Sequence, residues 1–170
     1  MRIFPVPDYK FKSLLAVTPE FLRARGVTLL LLDVDNTISP YGSAGPSPEF
    51  LRWAEETKAA GVRLFIVSNN RRGRPGLFAR AAGIPFVGGA KKPSRSGLFR
   101  AMEEAGAAAG ETALAGDQIY TDVLAANRAG AVSILVEPIR LSNPLHALRY
   151  ALELPFRLAR RMFRQGDVHK

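Results

Sequence analysis

The sequence predicts an α/β fold, a doubly wound, Rossmann-like parallel sheet of five strands with helices on both faces. Short apolar runs alternate with helical segments of about 10–15 residues, a pattern typical of parallel sheets. The first run, 29–32, consists of four leucines, as expected for a central strand covered on both faces. Polar residues directly follow several runs, at the strand ends where parallel sheets bind ligands.

The elements follow one another with short connections. The predicted strands are 29–32, 62–67, 84–87, 112–115 and 132–136, and the predicted helices are 19–25, 48–60, 73–82, 94–108 and 121–129. The sequences Thr18-Pro19-Glu20 and Ser47-Pro48-Glu49 indicate helix starts, because a hydroxyl residue caps the helix and proline suits its first turn. Glycine follows four of the helices, as is typical of helix ends, at Gly26, Gly61, Gly83 and Gly130.

The chain is predicted to form one domain over residues 1–170, with a core at 27–137, a basic N-terminal segment at 1–26 and a basic amphipathic C-terminal segment at 140–170. Its 170 residues are 47% hydrophobic, which favours a globular fold over disorder. The formal net charge of +9 is concentrated at the ends, because residues 1–26 carry 5 basic and 2 acidic side chains and residues 140–170 carry 7 and 2. Basic ends indicate an anionic surface nearby, either lipid head groups or nucleic acid, with solubility as the alternative.

The C-terminal segment is predicted to be helical. Apolar residues recur at helical spacing at Leu145, Leu148, Leu152, Phe156, Ala159 and Phe163, while Arg149, Arg157, Arg160, Arg161 and Arg164 fall largely elsewhere. Pro155 is expected to split or kink the helix. Two interpretations remain open: the helix lies on an anionic membrane, or it packs on the sheet with a solvated arginine face.

The expected location is cytoplasmic, with peripheral membrane contact under the first interpretation. Cysteine is absent, so disulfides and zinc–thiolate sites are excluded. No apolar run approaches the roughly 20 residues of a membrane-spanning helix, and Lys10 and Lys12 interrupt the place where a signal peptide needs its apolar core.

Candidate catalytic side chains stand at the predicted strand ends: Asp33 and Asp35, Ser68, Lys92, and Asp117 with Asp122. Each has an ordinary alternative as a cap, a turn residue or a solvated lysine. A parallel sheet gathers its strand ends at one edge, however, so a single site explains all of them together. Carboxylates with one lysine suit Mg²⁺ and an anionic substrate, and an aspartate can serve as the nucleophile in phosphoryl transfer.

Four motifs occur in order: Asp33-Val34-Asp35-Asn36-Thr37, Ser68, Lys92-Pro93, and Gly116-Asp117-Gln118-Ile119-Tyr120-Thr121-Asp122. They resemble the motifs of the haloacid dehalogenase-like superfamily over about residues 27–137. The Ser68-Asn69-Asn70 and Lys91-Lys92-Pro93 sequences, with the Gly-Asp-Gln-x-x-Thr-Asp form, are similar to the subfamily IIIA, YqeG-type phosphatases, which are related to phosphatidylglycerophosphate phosphatases.

The resemblance implies a role for each matching position. Asp33 would be the nucleophile and a metal ligand, and Asp35 would be the general acid/base and bind Mg²⁺ through its backbone carbonyl. Ser68 and Lys92 would contact the phosphoryl group, Asp117 would bind Mg²⁺, and Asp122 would bind it directly or through water. Thr37 would support the loop, and substrate binding is assigned to Thr37, Asn69, Asn70 and Arg71. Arg71, Arg72 and Arg74 either bind a second anionic group or form a solvated loop.

The predicted function is therefore a Mg²⁺-dependent phosphatase that acts through an aspartyl-phosphate. Members of this superfamily usually select substrates with a cap inserted after the first or third strand, and neither 38–67 nor 71–91 leaves room for one. The resemblance to relatives of the phosphatidylglycerophosphate phosphatases implies that lipid as the substrate, and an open site and basic ends would suit it at a membrane surface. The alternatives are a phosphatase for nucleic-acid ends or soluble sugar phosphates, and a basic binding or assembly protein with a vestigial site.

Overall fold

A computed structural model of the chain describes residues 4–40, 42–43, 45–71, 73–140 and 144–158. Six parallel strands form one sheet in the order β1-β6-β5-β2-β3-β4. The strands are β1 Tyr9–Phe11, β2 Leu29–Leu32, β3 Arg63–Val67, β4 Phe86–Val87, β5 Thr112–Gly116 and β6 Val132–Val136. The predicted α/β class and all five predicted strands are confirmed.

The predicted strand count was too low by one, because Tyr9–Phe11 adds an edge strand beside β6. This strand has three residues, and the prolines at positions 5 and 7 precede it, so no local apolar pattern marks it. Long-range contacts hold it instead. The Asp8 carboxylate accepts hydrogen bonds of 3.0 Å from both the backbone N–H and the hydroxyl of Ser133, 125 residues along the chain.

The described residues form six α-helices, of which the first five lie between strands and α6 follows β6: α1 Pro19–Ala24, α2 Pro48–Ala59, α3 Arg74–Ala82, α4 Ser96–Ala105, α5 Leu124–Ala129 and α6 Pro144–Leu158. The predicted caps are present, since the hydroxyls of Thr18 and Ser47 each accept a 3.2 Å hydrogen bond from a first-turn N–H. The helix predicted over 121–129 instead begins as a π-helical turn, Ile119–Val123, before α5.

The central strand β2 is fully buried, and its leucines serve two separate cores. Leu30 and Leu32 pack in the cluster that contains Phe50 of α2 and Phe78 of α3. Leu29 and Leu31 pack in the cluster that contains residues of α4 and α5. Helices thus cover both faces of the sheet, as the uniformly apolar strand predicted.

In the described residues of 38–67 and 71–91, the structure contains α2, β3, α3 and β4 with their connecting loops and no cap domain. Within the described residues of 33–47 and 88–95, the only strand-like feature is an isolated bridge between Asp35 and Ser39. The carboxyl ends of β2, β3 and β5 are therefore not covered from these two loops.

Helix α6 differs from its predicted form in two respects. It continues through Pro155 to Leu158 instead of dividing there. Its leucines at 148, 152 and 158 are exposed, whereas Glu153 and Arg157 are buried, so Arg157 does not belong to a solvated arginine face. The side chain of Leu145 and residues 159–164 lie outside the described residues. None of the described helices is long and apolar enough to cross a membrane.

Candidate active site

The ends of β2, β3 and β5 bring the predicted polar side chains to one edge of the sheet. Asp33 directly follows β2, and its backbone N–H continues the sheet with a 3.0 Å hydrogen bond to the carbonyl of Ala115 in β5. Ser68 directly follows β3, and Asp117 directly follows β5. Lys92 arrives on the loop after β4. The predicted convergence of these residues is present.

Lys92 is the buried centre of this group, with 2% of its side chain exposed. Its Nζ donates to Asp33 Oδ1 at 2.6 Å and to the carbonyl of Val67 at 3.0 Å, and it lies 2.7 Å from Asp122 Oδ1. Asn69 fixes the backbone of Lys92 from the other side, accepting from its N–H at 2.6 Å and donating to its carbonyl at 3.0 Å. This arrangement excludes a solvated lysine at position 92.

Asp33, Asp117 and Asp122 form a compact carboxylate cluster. One oxygen of each lies within 4.8 Å of the others. The hydroxyl of Thr37 sits between two of these carboxylates, 3.4 Å from Asp33 Oδ2 and 3.4 Å from Asp117 Oδ1. A single lysine faces three carboxylates here, and oxygen donors are the ligands that Mg²⁺ prefers. The donor set therefore fits a divalent cation.

The pKa values at this edge reflect burial first and the crowding of carboxylates second. Burial raises the pKa of Asp33 to about 6, aided by the charge of Asp122 and opposed by Lys92. Burial also raises the pKa of Asp117 well above its ordinary value, with the charges of Asp33 and Asp122 adding to the effect. Burial alone would lower the pKa of Lys92, but the neighbouring carboxylates outweigh it and raise that pKa. A bound cation would relieve the same repulsion.

Asp122 reaches the cluster because residue 116 is glycine. A Cβ atom at Gly116 would lie 2.4 Å from the carboxyl carbon of Asp122, closer than non-bonded atoms approach. The π-helical turn presents Asp122 at this point, where its Oδ2 accepts from the N–H of Gln118 at 3.2 Å. Gly116 thus leaves space for the Asp122 carboxylate next to Asp117, the other candidate metal ligand of this motif.

The raised pKa of Asp33 predicts a pH-dependent stability for the metal-free protein. Its pKa moves from 3.8 to about 6 on folding, so the folded state retains a proton that the unfolded state has lost. The resulting contribution to the free energy of unfolding, on the order of 3 kcal/mol, is complete below about pH 4 and lost as the pH rises through about 6.

Denaturant unfolding of the parent and the Asp33→Asn variant, without metal, at about pH 4 and about pH 7 measures this contribution. The parent should lose stability relative to the variant over that interval. An unchanged difference between the two proteins would contradict the assigned shift.

Asp35 stands beside the cluster and is held by a residue that was not among the assigned site residues. Arg74 of α3 pairs with Asp35 Oδ1 and donates to the carbonyl of Pro40 and the hydroxyl of Ser43, each at 2.7 Å. The adjacent Asn36 has a φ of 63°, in the left-handed region that asparagine tolerates. Arg74 thereby joins α3 to the loop that carries Asp35.

The remaining assigned residues lie at different depths. Ser68 is buried, and its hydroxyl accepts a 3.2 Å hydrogen bond from the N–H of Asn70. Asn70 and Arg71 are exposed. Residue 72 lies outside the described residues. The arginine-rich sequence after Ser68 indicated a cationic segment but could not show that Arg74 is the one paired with Asp35.

The family model for haloacid dehalogenase-like hydrolases matches residues 8–130, most of the chain and all four motifs. The chain belongs to this family. It is 33% identical to the "Probable phosphatase YqeG" of Bacillus subtilis over 168 residues, which cover 99% of this chain and 97% of that protein. The predicted family and enzyme class, a phosphomonoester hydrolase of the haloacid dehalogenase-like type, are confirmed.

A second relative is more distant and longer. The chain is 24% identical to the Arabidopsis thaliana protein named "Phosphatidylglycerophosphate phosphatase 1, chloroplastic/mitochondrial". The match covers 97% of this chain but 50% of that protein, so the haloacid dehalogenase-like chain spans about half of that relative's length.

Solved structures share the fold of this haloacid dehalogenase-like hydrolase. The cobalt-bound deoxy-D-mannose-octulosonate 8-phosphate phosphatase of Haemophilus influenzae matches with a TM-score of 0.53 and 18% identity, covering 66% of this chain and 69% of that one. The Moraxella catarrhalis 3-deoxy-D-manno-octulosonate 8-phosphate phosphatase, in complex with magnesium, phosphate and KDO, matches with a TM-score of 0.50 and 16% identity, covering 81% and 91%.

Proposed function

We propose that this chain is a Mg²⁺-dependent phosphatase that forms an aspartyl-phosphate on Asp33. The observation that carries the proposal is the position of Asp33, which shares one buried edge with a lysine and two further carboxylates. This edge therefore brings together a nucleophile, a lysine that can bind the phosphoryl oxygens, and carboxylates that can bind a metal ion. This combination is what in-line phosphoryl transfer requires of a protein.

In the first step, an Asp33 carboxylate oxygen attacks phosphorus and the bond from phosphorus to the alcohol oxygen breaks. Asp35 gives its proton to the departing oxygen. Arg74 engages Oδ1 of Asp35, so Oδ2 is the oxygen that we assign to proton transfer. The Lys92 ammonium and the Ser68 hydroxyl contact the phosphoryl oxygens during this transfer.

In the second step, Asp35 takes a proton from water as the water oxygen attacks the same phosphorus. The bond between phosphorus and Asp33 breaks, which releases inorganic phosphate and restores both carboxyl groups to their starting states. Lys92 then returns to its pair with Asp33. The side chains of Asp33, Asp117 and Asp122, with the backbone carbonyl of Asp35, would hold Mg²⁺, whose positive charge would stabilise the phosphoryl oxygens.

We further propose phosphatidylglycerophosphate as the substrate, presented at an anionic membrane surface. The likeness to the Arabidopsis protein named for that activity supports this choice. The uncapped loops leave room for a large substrate, and the chain carries a net charge of +9. The exposed leucines at 148, 152 and 158 of α6, termed here the leucine face, would contact lipid.

Substrate preference tests this proposal. Mg²⁺-dependent phosphate release should be fastest from phosphatidylglycerophosphate in mixed micelles, compared with its deacylated head group, soluble sugar phosphates and a 5′-phosphorylated oligonucleotide. Anionic vesicles should recruit the protein, and salt should release it.

Two controls separate the parts of the proposal. The Leu148→Ser/Leu152→Ser variant should lose vesicle binding yet hydrolyse the deacylated head group like the parent. A preference for a sugar phosphate or an oligonucleotide, with no vesicle binding, would retain the catalytic roles and overturn the lipid assignment.

A further inference from the structure

Two buried charged side chains of α6 form hydrogen bonds with the loop that carries Asp117. Glu153 is 1% exposed and Arg157 is 7% exposed. The Arg157 guanidinium donates from Nη2 to the backbone carbonyl of Asp117. Glu153 Oε1 accepts from the N–H of Ile119 at 3.0 Å and from that of Tyr120 at 3.5 Å. Arg157 therefore binds a backbone carbonyl, and Glu153 binds backbone N–H groups, in the segment from Asp117 to the π-helical turn.

Further contacts hold Glu153, Arg157 and the rest of α6 against the loop. Arg157 Nη2 lies 2.9 Å from Glu153 Oε2, and its other amino group lies 3.4 Å from Glu137 Oε2. The Tyr120 hydroxyl donates to the carbonyl of Leu152 at 3.0 Å, and Arg149 donates to the side chain of Gln118 at 2.6 Å. Every residue of the loop from 117 to 120 thus has a bond to α6.

Stability alone does not account for such an arrangement. Burying an ion pair is often no more stabilising than packing apolar residues of similar size. Here α6 buries Glu153 and Arg157 and leaves its described leucines, at 148, 152, 154 and 158, exposed, the reverse of an ordinary surface helix. Glu153 and Arg157 instead form hydrogen bonds with backbone atoms at and next to Asp117. Removing a group that orients a metal ligand typically lowers the affinity for the metal.

We infer that Glu153 and Arg157 are positioning residues that hold the Asp117 carboxylate in place for Mg²⁺. Helix α6, far from the motifs in sequence, would then belong to the active site. The two residues act through the backbone of the loop and not on the substrate. This inference rests on the metal role proposed above for Asp117.

The test separates positioning from folding with a double-variant cycle. Arg157→Gln, Glu153→Gln and the Glu153→Gln/Arg157→Gln pair are compared with the parent by thermal unfolding without metal and by calorimetric titration with Mg²⁺ without substrate. Arg157→Gln leaves Glu153 as an unpaired buried charge, so it should unfold at a lower temperature, and the double variant should recover most of that loss. Both should bind Mg²⁺ at least about tenfold more weakly, because both lack the guanidinium that donates to the Asp117 carbonyl.

Charge-matched controls stand on exposed positions of other helices. Arg52→Gln and Glu103→Gln should bind Mg²⁺ like the parent. Mg²⁺ affinity that recovers together with stability in the double variant, or that is unchanged in Arg157→Gln, would overturn the inference and leave the proposed function intact. A parent protein that binds no Mg²⁺ would overturn both.

Discussion

Phosphate release by an Asp33→Asn variant is expected to fall by about four orders of magnitude or more, as is typical when the nucleophile of covalent catalysis is removed. The amide has nearly the same shape as the carboxylate but cannot attack phosphorus. Release of inorganic phosphate from an aryl phosphate in the presence of Mg²⁺ provides the measurement. The soluble substrate makes the result independent of the lipid proposal.

The same variant is expected to fold at least as stably as the parent at neutral pH without metal. Burial raises the pKa of Asp33 to about 6, so the folded state favours an uncharged group at this position. Glu56→Gln, which removes an exposed carboxylate, serves as the matched control and should retain full activity. If the Asp33→Asn protein unfolded at a much lower temperature than the parent, its lost activity would reflect misfolding and not the removal of the nucleophile.

Replacing Lys92 by methionine is expected to produce the second large effect, on both activity and stability. Turnover should fall by about two to three orders of magnitude, because a preorganised donor to the phosphoryl oxygens is lost. The free energy of unfolding should fall by about 3 kcal/mol or more, because Asp33 and Asp122 lose their shared buried partner. Mg²⁺ should restore part of that stability by supplying a replacement positive charge.

The neighbouring lysine provides a closely matched control. Lys91 stands one residue earlier on the same loop but is exposed. Lys91→Met makes the identical chemical change and should leave turnover and unfolding nearly unchanged. Equal losses from Lys91→Met and Lys92→Met would indicate a general effect of the loop's charge and would contradict the assigned role of Lys92.

The catalytic edge could be predicted from the sequence because local signals and one topological rule were sufficient. The leucine run of β2 identified a central strand, and the carboxyl ends of parallel strands lie together. Asp33, Lys92 and Asp117 therefore had to converge once the strands were identified. The resemblance of the ordered motifs to a known family pointed to the same residues.

The features that escaped prediction depend on contacts between distant parts of the chain. Strand β1 has no pattern of its own and forms only because β6 offers an edge. Arg74 could not be distinguished from the arginines before it until α3 set its direction towards Asp35. Helical spacing assigned Leu148 and Leu152 to a shared face, but it could not show that Glu153 and Arg157 are buried against the loop after β5.

The most direct test of the proposed mechanism is to trap the phosphorylated protein. Asp35→Asn should slow the attack of water, while an aryl phosphate needs little proton donation to leave, so the covalent intermediate should accumulate. After an acid quench in the presence of Mg²⁺, peptide mass spectrometry should find hydroxylamine-sensitive phosphate on Asp33. Phosphate on another residue, or turnover with no bound phosphate at any time, would contradict nucleophilic catalysis by Asp33.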